Sequence, residues 1–357
     1  MTTTQHTQRM HDSKRPSETD VEVIRHEPFN AETPERALVH ELTPAPNAYI
    51  RTNFGVAAPA TPHVIDVTGA VERSFQLTLE ELQRMPRRAV TATMECAGND
   101  RLGMFPLPVG EPWRHGALST IAWSGVPLAH VLDMAGVTEG ALEVLVTAAD
   151  AGRRDDAVGE VRFARSLPLA DARRLDTLLA LEMNGAPLTP DHGAPVRLAV
   201  PGWYGMASVK WVTRIEVLRE PFTGYFQRQR YVYDQATGIT PVDRMRVKSI
   251  ITSPNDNASC GRVVQVTGWA WSGDGDITRV DLGVDGGDVW VEATLGTPSS
   301  SFAWTPWSVE LQLPRPGRFV LRSRATDSSG ATQPDRVTWN RLGYGNNAIR
   351  HIVINAV

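Results

Sequence analysis

The stretch Met94-Glu95-Cys96-Ala97-Gly98-Asn99-Asp100-Arg101 places one of the two cysteines at a turn, with an arginine five positions on. A thiolate is favoured where a cation or metal stabilises the ionised sulfur, and Arg101 is spaced to supply the cation across that turn. Ala89 to Met94 reads as a short apolar strand, and Ala-Gly-Asn fits a turn with a positive φ, so Cys96 is expected at a strand end. The same residues also fit a buried cysteine acting as a small hydrophobe. A second group of chemically capable residues, His192, Arg197 and Lys210, comes from a compact Gly- and Pro-containing segment. The guanidinium fork and the ammonium suit phosphate oxygens, although a loop histidine, a strand-edge arginine and a surface lysine are the ordinary alternatives.

Two cysteines are too few for an iron–sulfur cluster, there is no Cys-x-x-Cys-His for a haem, and no Gly-x-Gly-x-x-Gly turn marks a nicotinamide or flavin site. Redox chemistry on this chain would have to send its electrons to a separate partner. Cys96 and Cys260 fall in different predicted domains, so no disulfide framework is expected.

Cys96-Ala97-Gly98-Asn99-Asp100-Arg101 resembles the cysteine loop of the sulfite oxidase family. Further blocks follow in family order: Trp113-Arg114-His115-Gly116-Ala117-Leu118-Ser119-Thr120, Glu182-Met183-Asn184-Gly185, Asp191-His192-Gly193-Ala194-Pro195-Val196-Arg197, Pro201-Gly202, Ser208-Val209-Lys210-Trp211 and Trp339-Asn340. The resemblance runs from about Tyr49 to the C-terminus. It implies a molybdenum–molybdopterin cofactor, with Cys96 as the protein's thiolate ligand, and oxygen-atom transfer to sulfite. It implies cofactor contacts from His192, Arg197, Ser208 and Lys210, with Asp150 and Asn53 as further candidates. Arg51, in Tyr49-Ile50-Arg51-Thr52-Asn53, and Arg101 match anion-binding arginines; Tyr231 matches an active-site tyrosine, and Trp113 a tryptophan of the substrate pocket. Phe163-Ala164-Arg165-Ser166-Leu167-Pro168 resembles a cofactor-lining segment more loosely.

The pattern also departs from the family. Asn53 stands where sulfite oxidases usually carry histidine, Asp100 replaces a basic residue, and no cation stands near Val109 where a pocket lysine would fall. Trp339-Asn340-Arg341-Leu342-Gly343 carries its arginine one position earlier than Trp-Asn-x-Arg-Gly, and strand alternation would turn Arg341 away. A less cationic pocket should hold sulfite more weakly or prefer another substrate. Two alternatives therefore stand beside sulfite oxidation: the same cofactor acting on another oxyanion, S-oxide or N-oxide, and a catalytically silent cofactor-binding protein.

The elements that must position these residues read as an α+β unit over 46–244. Apolar spacing predicts helix in Leu77 to Met85, Leu118 to Ala135 and Leu167 to Leu179, and strand in Glu143 to Ala149, Pro195 to Val200 and Val209 to Leu218. Residues 245–357 change to short strands broken by turn residues. Val263 to Trp271, Thr278 to Val284, Val289 to Leu295, Trp307 to Leu313, Arg318 to Thr326 and Arg350 to Val357 are the expected strands, with a hairpin at Asp285-Gly286-Gly287-Asp288. This is an immunoglobulin-like β-sandwich pattern, holding six of the ten tryptophans, whose default role is core packing. In the resembled family this module makes the dimer contact, which implies a homodimer.

Residues 1–45 are polar and read as a disordered tail without a signal-peptide core. The net charge of −4 argues against general attraction to nucleic acid or membrane, and no segment approaches the roughly 20 apolar residues of a membrane span. A cytoplasmic enzyme is expected. The fused cytochrome domain of some relatives is not expected here, which leaves a cytochrome or small molecule as external electron acceptor.

Overall fold

The computed structural model of the protein describes residues 20–57, 60–235, 238–285 and 290–357. The hairpin expected at Asp285 to Asp288 lies, from Gly286 on, outside these residues. Among the described residues the chain forms the expected α+β unit followed by a two-sheet β-sandwich.

One five-stranded sheet of the first unit is wholly antiparallel: Arg88–Glu95 pairs with Leu118–Pro127, which pairs with Leu178–Met183, flanked by Ala186–Pro187 and Arg197–Ala199. In the other, Val212–Leu218 runs parallel to Val64–Gly69 and antiparallel to Glu143–Arg153, with Phe75–Thr78 and Glu160–Pro168 at the edges. Period-two burial is visible in Val64–Gly69, where Ile65 and Val67 are fully buried between half-buried neighbours.

The three predicted helices are shorter than their apolar spacing suggested. Phe75–Thr78 is strand, and the helix Leu79–Arg84 starts only where Thr78 and Glu81 form a reciprocal capping box. Leu118–Pro127 is strand, because Thr120, Ile121 and Val126 favour the pleat and Pro127 ends it; the helix is confined to Leu128–Ala135. There Leu128, Val131, Leu132 and Ala135 supply the buried stripe, and Gly136, at φ 68°, closes the C-terminus. Leu167 to Leu179 likewise divides into the end of a strand, the short helix Leu169–Ala172 and the start of Leu178–Met183.

The polar segment before residue 46 is not a tail from Asp20 onward. Glu22–Arg25 pairs with Asn30–Glu32, and Val21, Phe29 and Ala31 bury against Ile50. Composition hid this because its few apolar residues are shared among separate clusters, Val21, Phe29 and Ala31 with Ile50, Ile24 beside Cys96 and Leu38 in the main core.

In the second unit, strands 248–253, 263–271, 305–312 and 294–295 form one sheet, and 258–260, 351–356, 317–327, 277–284 and 290–292 the other. The predicted strand from Val289 to Leu295 thus splits between the two sheets at Ala293. Trp307 sits in the sandwich core, but Trp269, Trp271 and Trp304 leave it to join the core of the first unit. Trp269 and Trp304 stack at 4.9 Å, donating their indole N–H groups to the carbonyls of Leu38 and Glu41. These tryptophans weld the sandwich onto the sheet that leads to Cys96. No helix among the described residues is long and apolar enough to cross a membrane.

Candidate active site

Cys96 follows directly on the strand Arg88–Glu95, with its N–H bonded to Ala117 O at 2.8 Å. The loop is then fixed from inside: Asn99 accepts from Ala117 N–H at 3.0 Å and donates to Glu95 Oε1 at 2.9 Å. The positive φ expected at Ala-Gly-Asn falls instead on Asp100, at 58°. Gly98 is needed for space, since a Cβ there would lie 2.2 Å from Arg101 Nη2.

Cys96 is buried against Trp113 and Ala117, yet it lines the wall of a cleft enclosing about 790 Å³ of atom-free space, open to solvent. Burial pushes the Cys96 thiol up; Arg51, the Gly98 N–H and Arg101 oppose it, with Arg51 the strongest of the three. The cation that the sequence assigned to Arg101 is therefore supplied first by Arg51.

Arg51, Asn53, Cys96, Asp150, His192, Arg197, Ser208, Lys210 and Tyr231, all picked out from sequence, line this one cleft. Two expected residues do not. Trp113 is fully buried behind Cys96, where it packs the thiol in place and cannot line a substrate pocket. Arg101 also stands outside the lining, donating to Glu111 O at 2.6 Å and Leu342 O at 3.2 Å, with its guanidinium 5.2 Å from the Tyr344 ring. Its influence on the cleft is through its charge.

At one end of the cleft Arg51 donates to Asn53 Oδ1 at 2.8 Å and to the carbonyl of Thr52, and Asn53 Nδ2 donates to Tyr231 Oη at 3.4 Å. Asn53, expected to touch the cofactor, thus joins the arginine to the tyrosine. At the other end Arg197 donates to the carbonyls of His192, at 3.1 Å, and Ser208, at 3.2 Å, and lies 4.7 Å from the Trp123 ring. Lys210 Nζ donates to Asp191 O at 2.8 Å and sits 4.2 Å from the Trp211 ring.

These groups fit a bound anion. Arg197 Nε is buried without a hydrogen-bond partner, and His192 Nε2 has none of good geometry, an arrangement that costs free energy unless a ligand completes it. Burial and the charges of Arg197 and Lys210 push the His192 pKa down to about 3, leaving a neutral imidazole. Burial lowers that of Lys210 to about 7 and raises that of Asp150 to about 6. No cluster of three or more His, Cys, Asp or Glu among the described residues could hold a metal. A soft metal at Cys96 would take its other donors from a ligand, as a dithiolene provides.

Sequence reading gave no role to Tyr49, Thr52, Met94, Trp123 and Trp211, which also line the cleft. Tyr49, Thr52 and Trp211 lie inside the family-like motifs and Met94 stands two residues before Cys96, so position beside a motif was the available signal; Trp123 is brought in only by the pairing of Arg88–Glu95 with Leu118–Pro127.

Residues 54–226 match the oxidoreductase molybdopterin binding domain and residues 240–357 the Mo-co oxidoreductase dimerisation domain. The sulfite oxidase of Gallus gallus is 35% identical over 88% of this chain and 74% of its own length. This chain belongs to the sulfite oxidase family of molybdopterin-binding oxidoreductases. Mitochondrial sulfite oxidase of Mus musculus is 36% identical over 92% of the chain, which spans 64% of that protein. Nitrate reductase [NADH] 2 of Phaseolus vulgaris is 32% identical over 90% of the chain and 40% of its own length. Among solved structures, the sulfane dehydrogenase SoxCD from Paracoccus pantotrophus superposes with a TM-score of 0.80 at 28% identity, covering 99% of this chain and 90% of that one.

The charge state of Lys210 gives a sign for stability against pH. Its folded pKa, about 7, lies below its ordinary 10.5, so between these values the unfolded chain binds a proton that the folded chain does not. Stability of the cofactor-free protein should therefore rise as pH goes from 7 toward 10.5. Lys210→Met should flatten that rise in thermal melts, while cutting the molybdenum content of the purified protein by about tenfold through loss of one charge-assisted contact. A Lys210→Met protein that keeps its full molybdenum content would contradict this reading.

Proposed function

We propose that this protein is a molybdenum-dependent oxidoreductase that oxidises sulfite to sulfate and passes the electrons to an external acceptor, working as a homodimer through residues 240–357. The observation that carries this reading is the convergence on one cleft of a single thiol, Cys96, with Arg51 and Tyr231 beside it. When bound, the molybdenum cofactor supplies the two-electron oxygen-atom transfer. Cys96 would be its thiolate ligand. His192, Arg197, Ser208 and Lys210 would hold its pterin and phosphate groups.

Arg51 would bind the substrate anion. Its guanidinium is already oriented by Asn53 Oδ1 and by Asn30 Oδ1, the latter at 3.3 Å, so little rotamer entropy is lost on binding. Tyr231, tied to Asn53, presents a hydroxyl that can donate to an oxygen of the anion. Trp113 and the Cys96 backbone contacts keep the thiol from moving as the anion enters. Charge-assisted contacts of this kind are worth about 1.5–3 kcal/mol each.

Steady-state assays of the purified protein with sulfite and ferricyanide, beside nitrate with reduced viologen, test the assignment. Sulfite-dependent ferricyanide reduction, with nitrate turnover slower by at least one order of magnitude, is the expected result. The reverse preference would replace sulfite oxidation by oxyanion reduction at the same cofactor.

A further inference from the structure

A buried arginine stands one residue before Tyr231. Phe226–Arg230 is a π-helical turn, a rare geometry, and it leads directly into Tyr231. Arg165 holds the turn from below: it is fully buried and donates to Phe226 O at 2.6 Å and Val242 O at 2.8 Å. Arg230 is itself 7% exposed, and its Nε has no hydrogen-bond partner. Its ion pair to Asp156 Oδ2 is long at 3.4 Å. Asp156 is engaged more tightly elsewhere, by Arg154 Nε at 2.9 Å and Tyr225 Oη at 2.5 Å.

The surroundings of Arg230 are cationic. The rings of Tyr231 and Tyr344 lie 5.3 Å apart, and the Arg101 guanidinium stands 5.2 Å from the second ring. Burial raises the pKa of Tyr344, and Arg230, Arg101 and Arg51 all act on it in the opposite sense, Arg230 most. The Arg101 guanidinium feels both Arg51 and Arg230 as like charges. Arg51 and Arg101 are bonded to amide and carbonyl oxygens rather than to carboxylates. Three guanidinium groups, Arg101 and Arg230 buried and Arg51 half-buried, sharing little negative charge are costly to fold unless an anion neutralises them. Arg341, by contrast, is turned outward: its side chain is 57% exposed and paired with Asp234 at 2.7 Å.

We propose that Arg230, buried directly before Tyr231, supplies the third cationic charge of the anion pocket, acting with Arg101 beside Tyr344, and that with Arg51 these charges select a doubly charged oxyanion over a singly charged one. This rests on the oxyanion site described under Proposed function. It gives a role to a residue that the family motifs leave without one, in a chain whose Arg341 faces solvent.

The test uses sulfate as a non-reacting dianion on the holoenzyme. Its affinity is read from the shift of the melting temperature with sulfate concentration, beside kcat and KM for sulfite. Loss of one buried charge in Arg230→Gln should weaken sulfate about 10-fold and raise the sulfite KM by a similar factor, with kcat changed less. Arg230→Lys should recover most of the affinity, and Arg341→Gln should leave it unchanged. Asp156→Asn, which frees Arg230 from its carboxylate, should tighten sulfate several-fold. A merely structural arginine would lower the melting temperature without moving sulfate affinity, and sulfate affinity of Arg230→Gln within twofold of the parent overturns the proposal. If Arg230→Gln fails to fold, Asp156→Asn decides: tighter sulfate supports the assignment, and unchanged or weaker sulfate overturns it. Failure of sulfite turnover with intact sulfate binding would overturn the sulfite assignment and leave Arg230 as a cation of the anion site.

Discussion

Cys96→Ser should lower sulfite-dependent ferricyanide reduction by about three orders of magnitude or more, while the protein stays folded and keeps its pterin. The thiol sits at the strand end, packed by Trp113 and Ala117, and a serine hydroxyl fits the same space without strain. What is lost is the soft donor: a neutral hydroxyl is a poor ligand where a thiolate is required. His192, Arg197 and Lys210 lie on other elements of the cleft, so the hold on the pterin proposed for them should be untouched. The measurement pairs turnover with molybdenum and pterin content and with the visible absorption of a metal–thiolate bond. Loss of that absorption together with turnover, at retained pterin, is the expected pattern. A Cys96→Ser enzyme as active as the parent would remove Cys96 from the site.

Lys248→Met should be the most destabilising of these substitutions, by about 3–5 kcal/mol. Lys248 belongs to the sandwich but reaches into the cysteine loop, donating to Glu95 Oε1 at 2.9 Å, Asp100 Oδ2 at 2.6 Å and Asn346 O at 3.0 Å. Glu95 is further bonded to Asn99 Nδ2 and, at 3.1 Å, to Trp271 Nε1. Burial lowers the lysine pKa, but Asp100 and Glu95 outweigh it and hold the value above 10.5, so the ammonium persists. A raised lysine pKa contributes stability that is fully present below 10.5 and is lost only as pH rises through the folded value. Removing the ammonium leaves two carboxylates in the loop without their cation. The melting temperature should fall by about 5 °C at neutral pH. Adding Glu95→Gln and Asp100→Asn to Lys248→Met should recover part of that loss. A Lys248→Met protein that melts with the parent would contradict the account.

Asp100 shows what the sequence could and could not tell. As a residue standing where a base was expected, it looked like a loss of pocket charge. In the fold it is half of a clamp whose other member lies in a separate unit, and no local pattern announces a contact of that range. Cys96, His192, Arg197, Ser208 and Lys210 were legible because their motifs are short segments whose geometry is set locally by turns and strand ends. Trp113 and Arg101 carried the same motif signal. Yet Trp113 packs behind the thiol, and Arg101 is directed by Tyr344, Glu111 and Leu342, contributions from outside the motif. The helices were overextended because apolar runs such as Leu118 to Ala135 serve a strand and a helix in succession, with only Pro127 to mark the change. The segment from Asp20 was missed because a small apolar cluster around Ile50 suffices to anchor it.

The measurement that tests the central claim most directly is electron paramagnetic resonance of the purified protein after anaerobic addition of sulfite and partial reoxidation. A Mo(V) signal that depends on sulfite, and is absent from Cys96→Ser, is the result expected of a thiolate-ligated molybdenum site that accepts electrons from sulfite. Bound molybdenum that sulfite never reduces would contradict that claim.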